Sequence, residues 1–292
     1  MSEKCNLCPR ECNVDRQLSN GFCGVSDKVR IAKAMLHFGE EPPISGEHGS
    51  GAVFFSGCNM RCAFCQNFKV SHCGFGKEIP VERLSEIFLE LQEKGANNIN
   101  LVTATHYADQ AAKAIEIAKP YLKIPVVFNC GGYEKIETLK MLEGLVDIYL
   151  PDIKYFDEAL ALRYSGAKSY FERAFAAVGE MVRQTGKYVV NEKGLMEKGV
   201  IIRHLILPNC YKDSIMLFRH LAVFKDSVLI SLMRQYFPCG NAEKFPEINR
   251  KLTTFEYRKV LDECEKLGFD GFVQEKESAC GDMTPEFDLE GV

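Results

Sequence analysis

Three cysteines on one short segment are the first sign of chemistry in this chain. Cys58, Cys62 and Cys65 stand at C-x3-C-x2-C spacing within Gly57-Cys58-Asn59-Met60-Arg61-Cys62-Ala63-Phe64-Cys65. With 13 cysteines in 292 residues, roughly 0.03 such triplets are expected by chance, so the spacing carries information. Three thiolates on one loop can each ligate one iron of a cubane cluster, which leaves the fourth iron open for chemistry. The competing reading is a structural zinc or iron site completed by His72 or Cys73. A second group, Cys5, Cys8, Cys12 and Cys23, offers four thiolates in a short polar segment, with Pro9, Gly21 and Gly24 suited to tight turns around a metal. Tetrahedral zinc and a fully ligated iron–sulfur cluster both fit this quartet; a disulfide or free thiols are the alternative. The other six (Cys73, Cys130, Cys210, Cys239, Cys264 and Cys280) read as small buried hydrophobes.

The rest of the composition says where such thiols would work. A chain of 292 residues has no need of disulfide staples, and Met1 to Cys5 contains no apolar leader, so a reducing cytoplasm is the expectation. The 36 basic and 40 acidic residues leave no basic excess to attract nucleic acid or an anionic membrane surface. The apolar runs are too short to cross a bilayer. At 46% hydrophobic and 26% charged residues, disorder, collagen and coiled coil are excluded.

The elements that must position the cysteines follow from Gly51 onward. Continuous apolar runs at 52–55, 99–102, 125–128, 146–150, 200–206 and 228–232 read as buried strands. Amphipathic stretches between them read as helices, including one from Pro80 with Val81, Leu84, Ile87, Phe88 and Leu91 on one face. A last helix spans Thr254 to Leu267, and Phe272-Val273-Gln274 is a candidate final strand. Buried strands joined by helices pair in parallel, as an open doubly wound sheet or a barrel-like arc. Either way a ligand site belongs at the carboxyl ends of the strands, where the Cys58 loop lies. Residues 1–30 are too polar for a core of their own, and 37–51 read as a linker.

Gly57 to Cys65, including the aromatic Phe64, resembles the motif of the radical S-adenosylmethionine (SAM) superfamily. The wider chain, from Cys5 to Val292, is similar to pyruvate formate-lyase activating enzyme-like proteins. The similarity runs through Cys65-Gln66-Asn67, Thr103-Ala104-Thr105-His106-Tyr107, Pro151-Asp152-Ile153-Lys154, Arg203-His204-Leu205-Ile206-Leu207-Pro208, Gln235-Tyr236-Phe237-Pro238 and Thr284-Pro285-Glu286-Phe287-Asp288. The resemblance implies an incomplete (β/α)6 barrel over 51–240. A small Cys-rich N-terminal extension and linker would precede it over 1–50, and a helix and tail closing the barrel would follow over 241–292. It implies a 4Fe–4S cluster on Cys58, Cys62 and Cys65 and bound SAM. The reduced cluster would cleave SAM to methionine and a 5′-deoxyadenosyl radical, which abstracts hydrogen from a substrate. An anaerobic oxidoreductase fed by a flavodoxin or ferredoxin is implied, acting on a glycyl-radical protein, another protein, a peptide or a metabolite. No catalytic residue beyond the cluster is implied.

The same resemblance suggests the SAM contacts. Phe64 would lie at the adenine. Thr103, Thr105 and His106 occupy the place of the usual Gly-Gly-Glu. Asn129, with Gly131 and Gly132, would shape the ribose pocket. Asp152 and Lys154 would project together over the barrel mouth, and His204 would approach the SAM carboxylate or ribose. The rival reading is a non-catalytic iron–sulfur or zinc protein that binds a partner through its Cys-rich head. A thiol oxidoreductase using Cys5 and Cys8 is disfavoured, because that pair does not sit in a strand-to-helix turn.

Overall fold

The computed structural model describes residues 4–273 and 284–292. Its strands are β1 (Arg30–His37), β2 (Ser50–Phe55), β3 (Lys77–Glu78), β4 (Ile99–Val102), β5 (Val126–Cys130), β6 (Ile148–Pro151), β7 (Val189–Val190), β8 (Met196–Leu205), β9 (Val228–Met233) and β10 (Gly271–Val273). Its helices are α1 (Pro42–Ser45), α2 (Phe68–Ser71), α3 (Val81–Glu93), α4 (Ala108–Ala118), α5 (Ile136–Met141), α6 (Glu158–Ser165), α7 (Tyr170–Thr185), α8 (Tyr211–Leu221) and α9 (Thr254–Leu267).

Every residue of β2, β4, β5, β6 and β9 is buried, as the unbroken apolar runs require of strands covered on both faces. The strand order is β10-β9-β8-β6-β5-β4-β2-β1-β3, with β7 paired off this path to β8. From β2 to β10 the pairings along the path are parallel, whereas β1 runs antiparallel to both β2 and β3. The edges β3 and β10 do not meet, so the sheet is an open arc of a barrel, as the resemblance implies. Apolar faces such as Leu84, Ile87, Phe88 and Leu91 of α3 pack the helices onto it.

Two segments depart from the sequence reading. Residues 30–37 carried no strand assignment, yet β1 pairs along the whole of β2, because Ile31, Ala32 and Ala34 supply a buried face. The C-terminal tail returns to this strand. Ala34 N donates to Glu290 O (2.9 Å), Lys33 Nζ reaches Asp288 and Glu290, and Phe287 packs edge-to-face on Phe54. Cys280 and Gln274 lie outside the described residues.

Arg10 is one of the groups that hold the N-terminal segment to the arc, beside Arg16, Lys135 and Thr138. Arg10 donates to the carbonyls of Asn59 (2.6 Å), Met60 (3.2 Å), Ser165 (3.1 Å) and Gly166, and lies 3.8 Å from the centroid of Phe22. Two of those carbonyls belong to the cysteine loop, so the head fixes the loop from outside. Charge-assisted bonds of this kind contribute about 1.5–3 kcal/mol each at most. We expect Arg10→Ala to lose about 3 kcal/mol in urea unfolding. Arg10→Lys should recover less than half, because one ammonium cannot span the same carbonyls. Full rescue by Lys would contradict this arrangement.

Candidate active site

The Cys58 loop leaves the end of β2 at Gly57, whose φ of 85° is a backbone state that side-chain-bearing residues avoid. A Cβ there would also come within 2.7 Å of Cys23 O, so glycine is required where the head meets the loop. Beyond it, Cys58, Cys62 and Cys65 line a cavity of about 210 Å³ at the carboxyl ends of the strands. Each sulfur has a polar neighbour: Met60 N donates to Cys58 Sγ (3.4 Å), Ser165 Oγ to Cys62 Sγ (3.0 Å), and Ser71 Oγ lies 3.1 Å from Cys65 Sγ.

The cavity is dry enough to disfavour bare thiolates. Burial pushes Cys58 up to about 11 and Cys65 up to about 12, and raises Cys62 against the pull of Lys154. As thiolates, then, these side chains need a cation to stabilise them. Among the described residues, no three His, Cys, Asp or Glu side chains are gathered tightly enough to hold one metal ion. The donor set, three thiols on one loop lining one cavity, fits a cubane cluster, whose corner irons each take one thiolate.

Opposite the loop stands a buried charge network. Arg203 donates through Nε to Asp152 Oδ1 (2.7 Å), through Nη1 to Glu40 Oε2 (3.0 Å) and through Nη2 to Asn129 Oδ1 (2.6 Å). Lys154 Nζ donates to Asp152 Oδ2 (2.6 Å). Glu40 Oε1 accepts from Asn100 (3.0 Å) and Asn129 (3.3 Å). Burial works to raise the Asp152 carboxyl, but Arg203 and Lys154 outweigh it and hold it below the usual range. Lys154 is held up, against burial, by Asp152 and Cys62. Glu40 goes the other way, because burial raises it more than Arg203 lowers it.

The predicted residues divide by the side of the chain on which they fall. Phe64, Thr103, Asn129, Asp152 and Lys154 line the cavity. Asp152 and Lys154 project into it together, with Ile153 between them turned into the core. Phe64 packs edge-to-face against Tyr236 (5.9 Å) and Tyr155 (6.5 Å). Thr103 holds φ at 65°, a costly state for a β-branched residue, kept at the end of β4 against the cavity. Gly132, which adjoins cavity-lining Gly131, has a φ of 77° and sits tightly against the Asp152 carbonyl.

His204, Thr105 and His106 are corrections. His204 follows Arg203 on β8, so alternation aims it away from the cavity toward α8. Its Nδ1 lies 2.6 Å from Ile153 O and its Nε2 2.8 Å from Ser214 Oγ, and Phe218 packs on the ring: it is a satisfied core histidine. Burial pulls it down to about 4, so it is neutral at physiological pH. His106 is buried behind β2, with Nε2 2.7 Å from Ser56 O, and burial pulls it to about 3. Thr105 is buried in the same short turn and is not among the cavity-lining residues. Arg203 and Glu40 are the residues that sequence reasoning passed over. The parity of Arg203 with Leu205, both lining the cavity, was the available signal for the first; Glu40 lay in the segment read as linker.

The quartet is drawn together by the head's own turns. Cys5 N donates to Val14 O (2.8 Å), Asn13 N to Cys5 O (3.0 Å) and Glu11 N to Cys8 O (3.0 Å). Burial pushes Cys8 up to about 12, with smaller contributions from Glu134, Cys12 and Cys5.

Removing the central guanidinium tests the network. Arg203→Leu leaves Asp152 and Glu40 buried without their shared partner, a loss of about 3–5 kcal/mol at neutral pH. Glu40, already raised by burial, would then hold its proton still more tightly when folded, so stability falls as pH rises above the ordinary carboxyl value of about 4. In urea unfolding, the deficit of the variant should therefore shrink as pH is lowered from 8 toward 5. A deficit independent of pH would contradict the network.

The Radical SAM superfamily model matches residues 52–191. The uncharacterized protein MJ0674 of Methanocaldococcus jannaschii is 31% identical over 282 residues, covering 92% of this chain and 76% of that protein. Two solved structures share the fold. A radical SAM methyltransferase from Sphaerobacter thermophilus has a TM-score of 0.53 at 12% identity, over 80% of this chain and 70% of that one. SuiB of Streptococcus suis, bound to S-adenosylmethionine, has a TM-score of 0.51 at 15% identity, over 75% of this chain and 48% of that one. The chain thus spans about half the length of SuiB. The family match takes in the whole cysteine loop and the strands after it through β7, and over those residues the chain is similar to the radical SAM superfamily.

Proposed function

We propose that this chain binds SAM in the cavity between the Cys58 loop and the Arg203 network and cleaves it reductively. The observation that carries this reading is the lining itself: three thiols of one loop line the cavity together with a lysine–aspartate–arginine chain. Cys58, Cys62 and Cys65 would hold a 4Fe–4S cluster, which supplies the electron that cleaves SAM to methionine and a 5′-deoxyadenosyl radical.

The chain's own groups do the rest. Lys154 stands beside both Asp152 and Cys62, so its ammonium is placed to receive the methionine carboxylate next to the cluster. Asp152 holds that ammonium in place and is itself held by Arg203. The backbone at Phe64 and at Thr103 borders the space for the adenine and the ribose. Met60, Phe64, Leu205 and Met233 give the cavity apolar walls, which keep water from a reactive primary radical.

The substrate is read from the resemblance. The similarity to activating enzymes favours hydrogen abstraction from a glycyl-radical protein, with a flavodoxin or ferredoxin as one-electron donor in a reducing cytoplasm. No helix of the described residues is long and apolar enough to cross a membrane.

The experiment is anaerobic reconstitution with iron and sulfide, addition of dithionite and SAM, and detection of 5′-deoxyadenosine. The intact chain should form it and Cys58→Ala should not. Lys154→Met should weaken SAM binding roughly 10- to 100-fold, the loss of one charge-assisted contact. His204→Gln should bind SAM as the parent does. Cluster iron without 5′-deoxyadenosine would favour a binding or electron-transfer protein instead.

A further inference from the structure

Two serines are buried with their hydroxyls against the cysteine sulfurs. Ser165, the last residue of α6, puts Oγ 3.0 Å from Cys62 Sγ. Ser71, the last residue of α2, puts Oγ 3.1 Å from Cys65 Sγ. The two come from separate elements, yet each makes the same contact. Cys58 Sγ is served differently, by the amide of Met60 (3.4 Å).

Each hydroxyl is fixed by a second partner. Tyr155 Oη lies 2.8 Å from Ser165 Oγ, and His72 Nδ1 lies 2.9 Å from Ser71 Oγ. Tyr155 is wedged among rings, with centroids 5.4 Å from Tyr170, 6.4 Å from Tyr164 and 6.5 Å from Phe64. The His72 ring stacks on Phe68 at 4.2 Å. The backbone holds the serines as well. Ala63 N donates to Tyr164 O (2.7 Å), which sets the end of α6 against the cysteine loop, and Arg10 binds Ser165 O (3.1 Å). Ser71 N donates to Asn67 O (2.8 Å).

The direction of each chain of bonds follows from counting hydrogens. A ligating thiolate has none and can only accept. A serine hydroxyl has one, so a serine that donates to sulfur must accept from its other partner. Tyr155 then donates to Ser165, and His72 carries a hydrogen on Nδ1 and donates to Ser71. Two relays, Tyr155–Ser165–Cys62 and His72–Ser71–Cys65, thus aim their positive ends at sulfur, and successive donors polarise one another. Bonds of this kind strengthen as the sulfur gains negative charge, so they favour the reduced state of a cluster. Burial acts the other way, since a dry site resists added negative charge.

We infer that Ser165, backed by Tyr155, and Ser71, backed by His72, are positioning residues that raise the reduction potential of the cluster on Cys58, Cys62 and Cys65. The inference rests on the cluster reading of that loop. It adds which side chains bring the cluster within reach of a one-electron donor.

The test is a redox titration of the reconstituted chain without SAM, followed by electron paramagnetic resonance, with iron counted in each sample. The signal to follow is the one that Cys58→Ala abolishes. At a fixed potential, the ratio of reduced to oxidised cluster should fall about tenfold in Ser165→Ala and about tenfold in Ser71→Ala, with iron content unchanged. The two shifts should combine in the double variant. Tyr155→Phe should move the ratio in the same direction by less, because Ser165 keeps its own hydrogen on the sulfur. Ser71→Thr keeps a hydroxyl and should stay near the parent. If Ser165→Ala does not load iron, Ser71→Ala decides alone. Unmoved or raised potentials at full iron, or loss of iron in both alanine variants, would overturn the inference and leave the cluster reading standing. An intact chain that takes up no iron and gives no such signal would overturn both.

Discussion

The buried guanidinium of Arg203 joins parts of the chain that are remote in sequence. It sits on β8, holds Asp152 at the end of β6, Asn129 on β5 and Glu40 in the loop after β1, and through Asp152 it positions Lys154. No member of this set is stable in a dry cavity alone, since an unpaired buried charge costs several kcal/mol. Together they leave one ammonium facing the cysteine loop. The open arc matters for the same reason: parallel strands bring their carboxyl ends to one side, so residues far apart in the chain meet there.

The cysteine loop is constrained from the opposite side. Arg10 binds the carbonyls of Asn59 and Met60, Cys23 O accepts from Cys58 N, and Gly57 is the only residue type that fits between them. On the outer face, Cys239 Sγ donates to Phe64 O (3.2 Å) and Asn241 N to Ala63 O (2.7 Å). The loop is therefore clamped by both the N-terminal head and the segment after β9. A redox cofactor benefits from such a frame, because surrounding hydrogen bonds and burial set its potential.

Much of this was legible in the sequence, for reasons tied to periodicity. Strands buried on both faces announce themselves as unbroken apolar runs, and the two-residue alternation placed Asp152 and Lys154 on one side. The same alternation misled at His204, because an apolar strand does not say which of two adjacent polar residues faces inward. Arg203 took the cavity, and His204 took a place in the helix layer against Ser214 and Phe218. Thr105 and His106 were lost to a short turn that starts just after the left-handed Thr103 and bends them behind β2. Glu40 and β1 were hidden for a different reason. Their partners are tertiary, and a stretch with Gly39, Pro42 and Pro43 reads locally as a linker.

In the proposed complex SAM would meet a cluster held by Cys58, Cys62 and Cys65, with its methionine end toward Lys154. The most direct measurement is electron–nuclear double resonance on the reduced, SAM-bound protein, using SAM labelled with 15N at the amine and 17O at the carboxylate. SAM bound in this way gives hyperfine coupling from both labels, and the coupling loses definition in Lys154→Met. Bound SAM with no coupling from either label would contradict this placement.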